Sequence, residues 1–175
     1  MPRAVFLDRD GVINRKAPEG QYITRWDDFE FLPQVPEAIR ILNRTNFLVI
    51  VVTNQRCVAK GLLAADELEA IHRRMLQELA SLHATIDAVY FCPHDNDSQC
   101  ACRKPLPGML IRAAKEHSLE LPQSWMIGDS EGDVLAGRSA GCKTVRILRP
   151  GASPQTGSDL IANSLCEAAE KIVSI

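Results

Sequence analysis

Two aspartates one residue apart, Asp8 and Asp10, close the short apolar run Ala4-Val5-Phe6-Leu7 and are followed at once by Gly11. Residues i and i+2 of an extended segment share a face, so both carboxylates can converge on one ligand while the glycine lets the chain turn beneath it. Asp-Arg-Asp-Gly also suits an ordinary solvated turn, and the rest of the chain has to decide between the two. Further polar groups gather after other apolar runs: Thr53-Asn54-Gln55 after residues 47–52, Lys104-Pro105 beyond a cysteine-rich stretch, and Gly128-Asp129-Ser130-Glu131-Gly132-Asp133 after residues 124–127. Several carboxylates at one rim repel each other, so they require a hard cation, and oxygen ligands with room for water suit magnesium. A metal held by few carboxylates completes its shell with phosphate oxygens. A lysine, a threonine hydroxyl and main-chain N–H groups facing it are what a phosphoryl group needs. Two like charges about 4 Å apart repel by roughly 4 kcal/mol at an effective dielectric near 20, so a carboxylate nears a phosphate dianion only when magnesium and Lys104 offset that repulsion. A carboxylate so placed can attack phosphorus and form an aspartyl phosphate, splitting hydrolysis into two steps.

The cysteine-rich stretch carries a second chemistry. Cys92, His94, Cys100 and Cys102 are four ligands of the types zinc prefers, enough for a closed structural site, although the one-residue spacings are tighter than the usual finger pattern. Ordering about ten loop residues costs on the order of 10 to 20 kcal/mol of backbone entropy, and Pro93-His94-Asp95-Asn96-Asp97-Ser98-Gln99 has almost nothing apolar to offset it. Structural zinc contributes roughly 10 to 16 kcal/mol, the right size to hold such a loop. Its role is then positional, fixing Arg103 and Lys104 at the rim. Cys57, Cys142 and Cys166 read as packing residues.

These groups need a scaffold that brings them to one edge. Residues 47–52, Phe-Leu-Val-Ile-Val-Val, are continuously apolar and mostly β-branched, as a central parallel strand covered on both faces requires. A helix begins near Pro36 and runs to about residue 43. Leu68, Ile71, Met75, Leu79 and Leu82 recur at three- and four-residue steps and predict an amphipathic helix, with His72 and His83 as surface or boundary residues. Strands are expected at residues 87–91, 124–127 and 143–148, and helices at 107–117, 131–140 and 165–173. Residues 15–34, with Tyr22, Trp26, Phe29 and Phe31 among charges, read as a loop or small hairpin lying over something. The alternation of strands and helices predicts an α/β Rossmann-like three-layer sandwich with a mostly parallel central sheet of about five strands, spanning residues 1–175 as one domain. In such sheets ligands bind beyond the carboxyl ends of the strands, and every suspicious polar residue falls there.

Composition excludes several alternatives. The chain of 175 residues has a net charge of −2 and no stripe of Lys or Arg, so neither nucleic acid nor an anionic membrane is an expected partner. No apolar run approaches a membrane span and no secretory signal is visible, which with six cysteines points to the cytoplasm and to thiols or metal ligands rather than disulfides. A monomer is the default expectation.

Taken in order, Asp8-Arg9-Asp10-Gly11, Thr53, Lys104-Pro105 and Gly128-Asp129-Ser130-Glu131-Gly132-Asp133 resemble the four motifs of the haloacid dehalogenase superfamily of phosphatases, over almost the whole chain. The resemblance implies that Asp8 is the nucleophile and Asp10 the general acid and base. It also implies that Thr53 and Lys104 hold the phosphate; Asn54 and Gln55 are read with them as binding residues, and Arg103 is the candidate for a second anionic or hydroxyl contact on the substrate. Magnesium would be bound by Asp8, the main-chain carbonyl of Asp10, and Asp129, with Asp133 orienting the metal shell or Lys104. A narrower resemblance, from Asp8-Arg9-Asp10-Gly11-Val12-Ile13-Asn14, Thr53-Asn54-Gln55 and the Cys92-Pro93-His94 to Cys100-Ala101-Cys102-Arg103-Lys104-Pro105 segment, is to the heptose 1,7-bisphosphate 7-phosphatases, relatives of the histidinol-phosphate phosphatases that share the zinc loop. It implies removal of the 7-phosphate of a heptose bisphosphate on the way to nucleotide-activated heptose for lipopolysaccharide core or a related glycan. Histidinol phosphate or another sugar phosphate is the alternative substrate. The family continues Thr-Asn-Gln with Ser-Gly where this chain has Arg56-Cys57. The usual sites of a cap insertion are short, so the site is expected to be capless, with selectivity resting on residues 15–34, residues 56–60 and the zinc loop. A phospho-acceptor receiver domain also combines early acids with a Thr and a Lys-Pro, but its acceptor aspartate ends the third strand, where this chain has Cys92-Pro93.

Overall fold

The computed structural model describes residues 1–153 and 157–175. Its first strand, β1 (Arg3–Leu7), lies in the middle of the sheet with β2 (Phe47–Asn54) on one side and β4 (Trp125–Gly128) on the other. Beyond β2 comes β3 (Ala88–Cys92), and beyond β4 come β5 (Lys143–Ile147) and β6 (Leu160–Ala162), giving the order β3-β2-β1-β4-β5-β6 with every pairing parallel. The chain winds outward one way from β1 through β3 and the other way from β4 through β6. The switch point between those two directions is the β1–β4 junction, where ligands of open α/β sheets settle.

Alternate residues of each strand feed opposite faces. Val5, Leu7, Val49, Val51, Ile127 and Val145 belong to one core with α1 (Val35–Asn43), α2 (Ala65–Ser81) and α5 (Leu165–Val173). Ala4, Phe6, Ile50, Val52 and Met126 belong to the other, with α3 (Gly108–His117) and α4 (Glu131–Ala140). The result is the expected three-layer arrangement; the helices at 131–140 and 165–173 fall where expected and other boundaries move by up to three residues. The sheet has six strands rather than about five. The extra one, β6, is three residues long, too short for a period to show, and it is a strand only because β5 offers it an edge to pair with. Cys57, Cys142 and Cys166 are buried as packing residues.

Two elements are locked by their ends. Ser130 caps α4, its Oγ accepting from Asp133 N–H while the Asp133 carboxylate accepts from Ser130 N–H at 2.9 Å, a reciprocal box that fixes the β4–α4 turn. Gly141 ends α4 in the left-handed region at φ 85°. Residues 15–34 form the expected loop, with a 3-10 turn at Trp26–Asp28; Trp26 stacks on Phe29 at 4.8 Å and lies beneath Arg74 of α2 at 4.9 Å. Among the described residues no helix is long and apolar enough to cross a membrane.

Candidate active site

The register of the sheet sets the site. Leu7 pairs with Ile127 and Val51, and Asp8 N–H donates to Ile127 O at 3.0 Å, so the chain leaves β1 alongside the end of β4. Asp8, Asp10, Lys104 and Asp133 line one cavity of about 400 Å³. Asp129 follows β4 directly, and its carboxylate lies with those of Asp8 and Asp133 in a group in which one oxygen of each is within 4.8 Å of the others. Lys104, buried, reaches between two of these carboxylates: its Nζ donates to Val52 O at 2.8 Å and forms ion pairs with Asp8 Oδ1 at 2.8 Å and Asp133 Oδ1 at 2.6 Å. The two anions raise the Lys104 pKa despite burial, which alone would lower it.

The two aspartates of the opening strand stand in contrasting environments. Burial above all, then the Asp133 and Asp10 charges, raise the Asp8 carboxyl to about 7, with Lys104 opposing. Burial would raise Asp10 as well, but the Arg9 guanidinium and hydrogen bonds from Asn14 and Gln55 outweigh it and hold that carboxyl below its ordinary value. Asp10 accepts from Arg9 Nη2 at 2.9 and 3.1 Å, from Asn14 Nδ2 at 2.9 Å and from Gln55 Nε2 at 2.8 Å. Asp8 Oδ1 takes Lys104 and the Arg9 N–H, and Oδ2 takes no hydrogen bond from the described residues.

The sequence-predicted binding residues divide by what they touch. Thr53 is fully buried, its Oγ1 accepting from Gln55 Nε2 at 2.9 Å. Asn54 clamps the main chain of Lys104, donating to its carbonyl and accepting from its N–H, each at 3.0 Å, ahead of the cis Lys104-Pro105 bond. Arg103 lines the cavity but donates to His94 O at 3.2 Å and to Asn96 Oδ1, so its guanidinium is committed to the cysteine loop. In that loop Cys92, His94, Cys100 and Cys102 converge, all ligand atoms within 4.8 Å. Cys92 Sγ is 3.5 Å from His94 Nδ1, 3.7 Å from Cys100 Sγ and 3.0 Å from Cys102 Sγ, and none of the six cysteines is in a disulfide. Burial pushes the Cys100 thiol up, but the Arg103 N–H and neighbouring thiols outweigh it and bring it down to about 6.

A family model described as HAD-hydrolase-like matches residues 101–168. The D-glycero-beta-D-manno-heptose-1,7-bisphosphate 7-phosphatase of Yersinia pestis is 34% identical over 180 residues, covering 97% of this chain and 94% of that protein. The chain belongs to the heptose-1,7-bisphosphate 7-phosphatase family of HAD-like hydrolases. The D-glycero-alpha-D-manno-heptose-1,7-bisphosphate 7-phosphatase of Mycobacterium bovis is 38% identical over 171 residues, covering 94% of this chain and 88% of that protein. The crystal structure of a D,D-heptose 1,7-bisphosphate phosphatase from B. bronchiseptica, complexed with magnesium and phosphate, superposes with a TM-score of 0.89 at 31% identity and covers 98% of each chain.

The acidic rim of this family member has the donors that a hard cation needs: oxygen only, converging, and buried. Asp129 is meanwhile held by two cations that sequence reasoning missed, Lys16 at 3.3 Å and Arg149. Both are nearly half exposed, so water can take them over when Asp129 turns to another partner. Arg149 lies two residues beyond β5 in a stretch with no period, and nothing local marks it. His72 is a correction. It is buried rather than at the surface, and its Nε2 is 3.0 Å from Arg9 Nη1. The signal was present, because His72 sits four residues after Leu68 and three before Met75, on the apolar stripe of α2. His83 is exposed as expected.

The turn after β4 makes a further test of the site. A Cβ on Gly128 would overlap the Cβ and carboxyl of Asp133. Gly128→Ala is therefore expected to push Asp133 off Lys104 and to lower kcat roughly a hundredfold, as misplacement of catalytic groups by about 1 Å does. Steady-state kinetics alongside a melting curve separates this from simple unfolding.

Proposed function

We propose that this chain hydrolyses the C7 phosphate ester of a D-glycero-D-manno-heptose 1,7-bisphosphate through an aspartyl-phosphate intermediate. The carrying observation is the convergence of Asp8, Asp10, Lys104 and Asp133 on one cavity at the sheet's switch point, with Asp129 beside them. In the first step Asp8, in its ionised form, bonds through Oδ2 to phosphorus as the P–O bond to the sugar breaks, and the departing oxygen takes a proton from Asp10 in its protonated form, which Arg9, Asn14 and Gln55 disfavour at rest. In the second, Asp10 takes a proton from water, whose oxygen attacks phosphorus and releases Asp8 and inorganic phosphate. Thr53 and Lys104 hold the phosphoryl oxygens, and Asp133 keeps Lys104 aimed. Asp8, Asp129 and the main-chain carbonyl of Asp10 would hold magnesium, which supplies neutralisation of the phosphoryl charge.

Zinc fits the Cys92, His94, Cys100 and Cys102 cluster. Separations of 3.0 to 3.7 Å are close to the edges of a tetrahedron with arms of about 2.0 to 2.3 Å. Its part is to hold Arg103 and Lys104 in place, not to react. Four thiol and imidazole ligands and free thiols elsewhere suit a reducing cytoplasm. We assign the catalytic unit to the monomer, because the Asp8, Asp129 and Asp133 carboxylates and the Lys104 ammonium already converge within a single chain.

The relatives differ in the anomer they are named for, so substrate comparison is the decisive experiment. Phosphate release should depend on added magnesium, with kcat/KM highest for a heptose 1,7-bisphosphate among its two anomers, histidinol phosphate and other sugar bisphosphates. A protein that becomes stably phosphorylated but releases nothing would sink the phosphatase assignment.

A further inference from the structure

Arg9 separates the two catalytic aspartates, and its side chain is 1% exposed. A buried guanidinium must place its N–H groups well. This one does so asymmetrically. Nη2 donates to both carboxylate oxygens of Asp10, at 2.9 and 3.1 Å, while Nη1 meets His72 Nε2 at 3.0 Å, and Nε is buried without a partner. Phe29 lies 5.7 Å from the guanidinium and Phe91 5.7 Å from the His72 ring, so apolar surface flanks the pair. An arginine only donates. His72 must therefore accept on Nε2, which places its own proton on Nδ1 and keeps the ring neutral. Burial first, and then the Arg9 charge, lower the imidazole pKa to about 3, consistent with that state.

We propose that His72 is a positioning residue for proton transfer: by accepting from Arg9 Nη1 it orients the guanidinium, whose Nη2 holds the Asp10 carboxyl in line with the departing oxygen. His72 lines neither the cavity nor the metal group and acts only through Arg9. With that acceptor gone, Nη1 would be a buried donor without a partner beside Nε, which already has none. The guanidinium then swings to satisfy them, and Asp10 keeps only Asn14 and Gln55. A carboxyl held from that side alone samples poses that do not face the leaving group. The consequence is specific to the step that needs a proton, because an alkoxide leaves poorly without one and a nitrophenolate leaves readily.

This inference rests on the assignment of Asp10 as proton donor, and the experiment separates the two. kcat/KM reports formation of the phospho-enzyme and is measured for heptose 1,7-bisphosphate, an alkyl ester, and for p-nitrophenyl phosphate, an aryl ester. His72→Leu is expected to lower the alkyl value roughly 10- to 100-fold, part of the 100- to 10,000-fold that general acids supply, and the aryl value by less than about threefold. His72→Gln, whose amide oxygen can accept from Nη1, should stay within about threefold of wild type on both. Asp10→Asn should show the same selectivity at larger size. Equal losses on both esters in His72→Leu, or a His72→Gln variant no better than His72→Leu, overturn the positioning role. Selective loss in Asp10→Asn with none in His72→Leu also overturns it, while equal losses in Asp10→Asn reject the proton-donor assignment instead. Should His72→Leu fail to fold, the long-range nitrogen–proton spectrum of the wild-type imidazole decides: Nδ1 protonated supports the arrangement, and Nε2 protonated ends it.

Discussion

Asp8→Asn is expected to abolish turnover, with kcat down by on the order of 10⁴ to 10⁶ as in removal of other catalytic nucleophiles, and with no phospho-enzyme in the intact mass after mixing with substrate. Residual turnover above a hundredth of wild type would reject Asp8 as nucleophile. The same substitution should leave the fold intact and, with magnesium omitted, make it more stable at neutral pH. Asp8 is buried near two other carboxylates, and its folded pKa of about 7 lies above the 3.8 of the unfolded chain. A carboxyl raised in this way favours folding below pH 4, and the contribution is lost as pH rises toward 7, up to about 4 kcal/mol. Asparagine has no such titration. Denaturant midpoints at pH 5 and pH 8 should therefore diverge more for wild type than for the variant. Asp10 and Asp133, whose pKa values are lowered on balance by Arg9 and Lys104 against the effect of burial, titrate below the pH 5 to 8 window, so the comparison reads Asp8. Parallel midpoints would mean that Lys104 compensates Asp8 fully. Magnesium should narrow the gap by giving the carboxylate a partner.

Loss of the zinc site is the second large effect. Purified protein should contain about one zinc per chain, and Cys100→Ser should contain none, since a structural site needs all four ligands. Metal binding worth roughly 10 to 16 kcal/mol would disappear, offset in good part by the on the order of 10 to 20 kcal/mol that loop ordering costs. The two ranges overlap, so the loss should show first in the loop itself. The loop should become the first place a protease cuts, within residues 93–101. Catalysis should fall at least about tenfold, because Arg103 is tied to His94 and Asn96 and Lys104 follows it directly. A zinc-free protein with normal melting, protection and activity would defeat the assignment. Because Asn54 clamps Lys104 from β2, some activity should survive zinc loss, whereas none should survive loss of Asp8.

The acidic pair after β1, the Thr53 position, Lys104 and the Asp129 to Asp133 segment were legible because each is a short polar interruption at the end of an apolar run. In a parallel sheet, all such ends face one way. The four side chains that converge in the cysteine loop, Cys92, His94, Cys100 and Cys102, were legible as a group from residue type alone. What could not be seen came from distant segments. Lys16 and Arg149 meet at Asp129 from a loop and from beyond β5, and β6 exists only because β5 presents an edge. Arg56 and Cys57, where the family pattern breaks, turn out to serve the surroundings of the site: Arg56 pairs with Asp95 of the cysteine loop, and Cys57 is buried with its thiol 3.7 Å from Gln55 Oε1.

His72 shows where that boundary lies. Its place on the buried stripe of α2 was written in the three- and four-residue spacing, since periodicity is a local property that one helix carries by itself. Its partner was not, because Arg9 lies 63 residues earlier and only the packing of α2 against the sheet brings the two together. By itself the sequence determined which groups stand at the strand ends and hence the class of chemistry. Only the tertiary structure decided how their charges are paired, because hydrogen bonds and ion pairs depend on distances between residues far apart in the chain. Those distances separate Asp8, raised and paired with Lys104, from Asp10, fastened through Arg9 to His72.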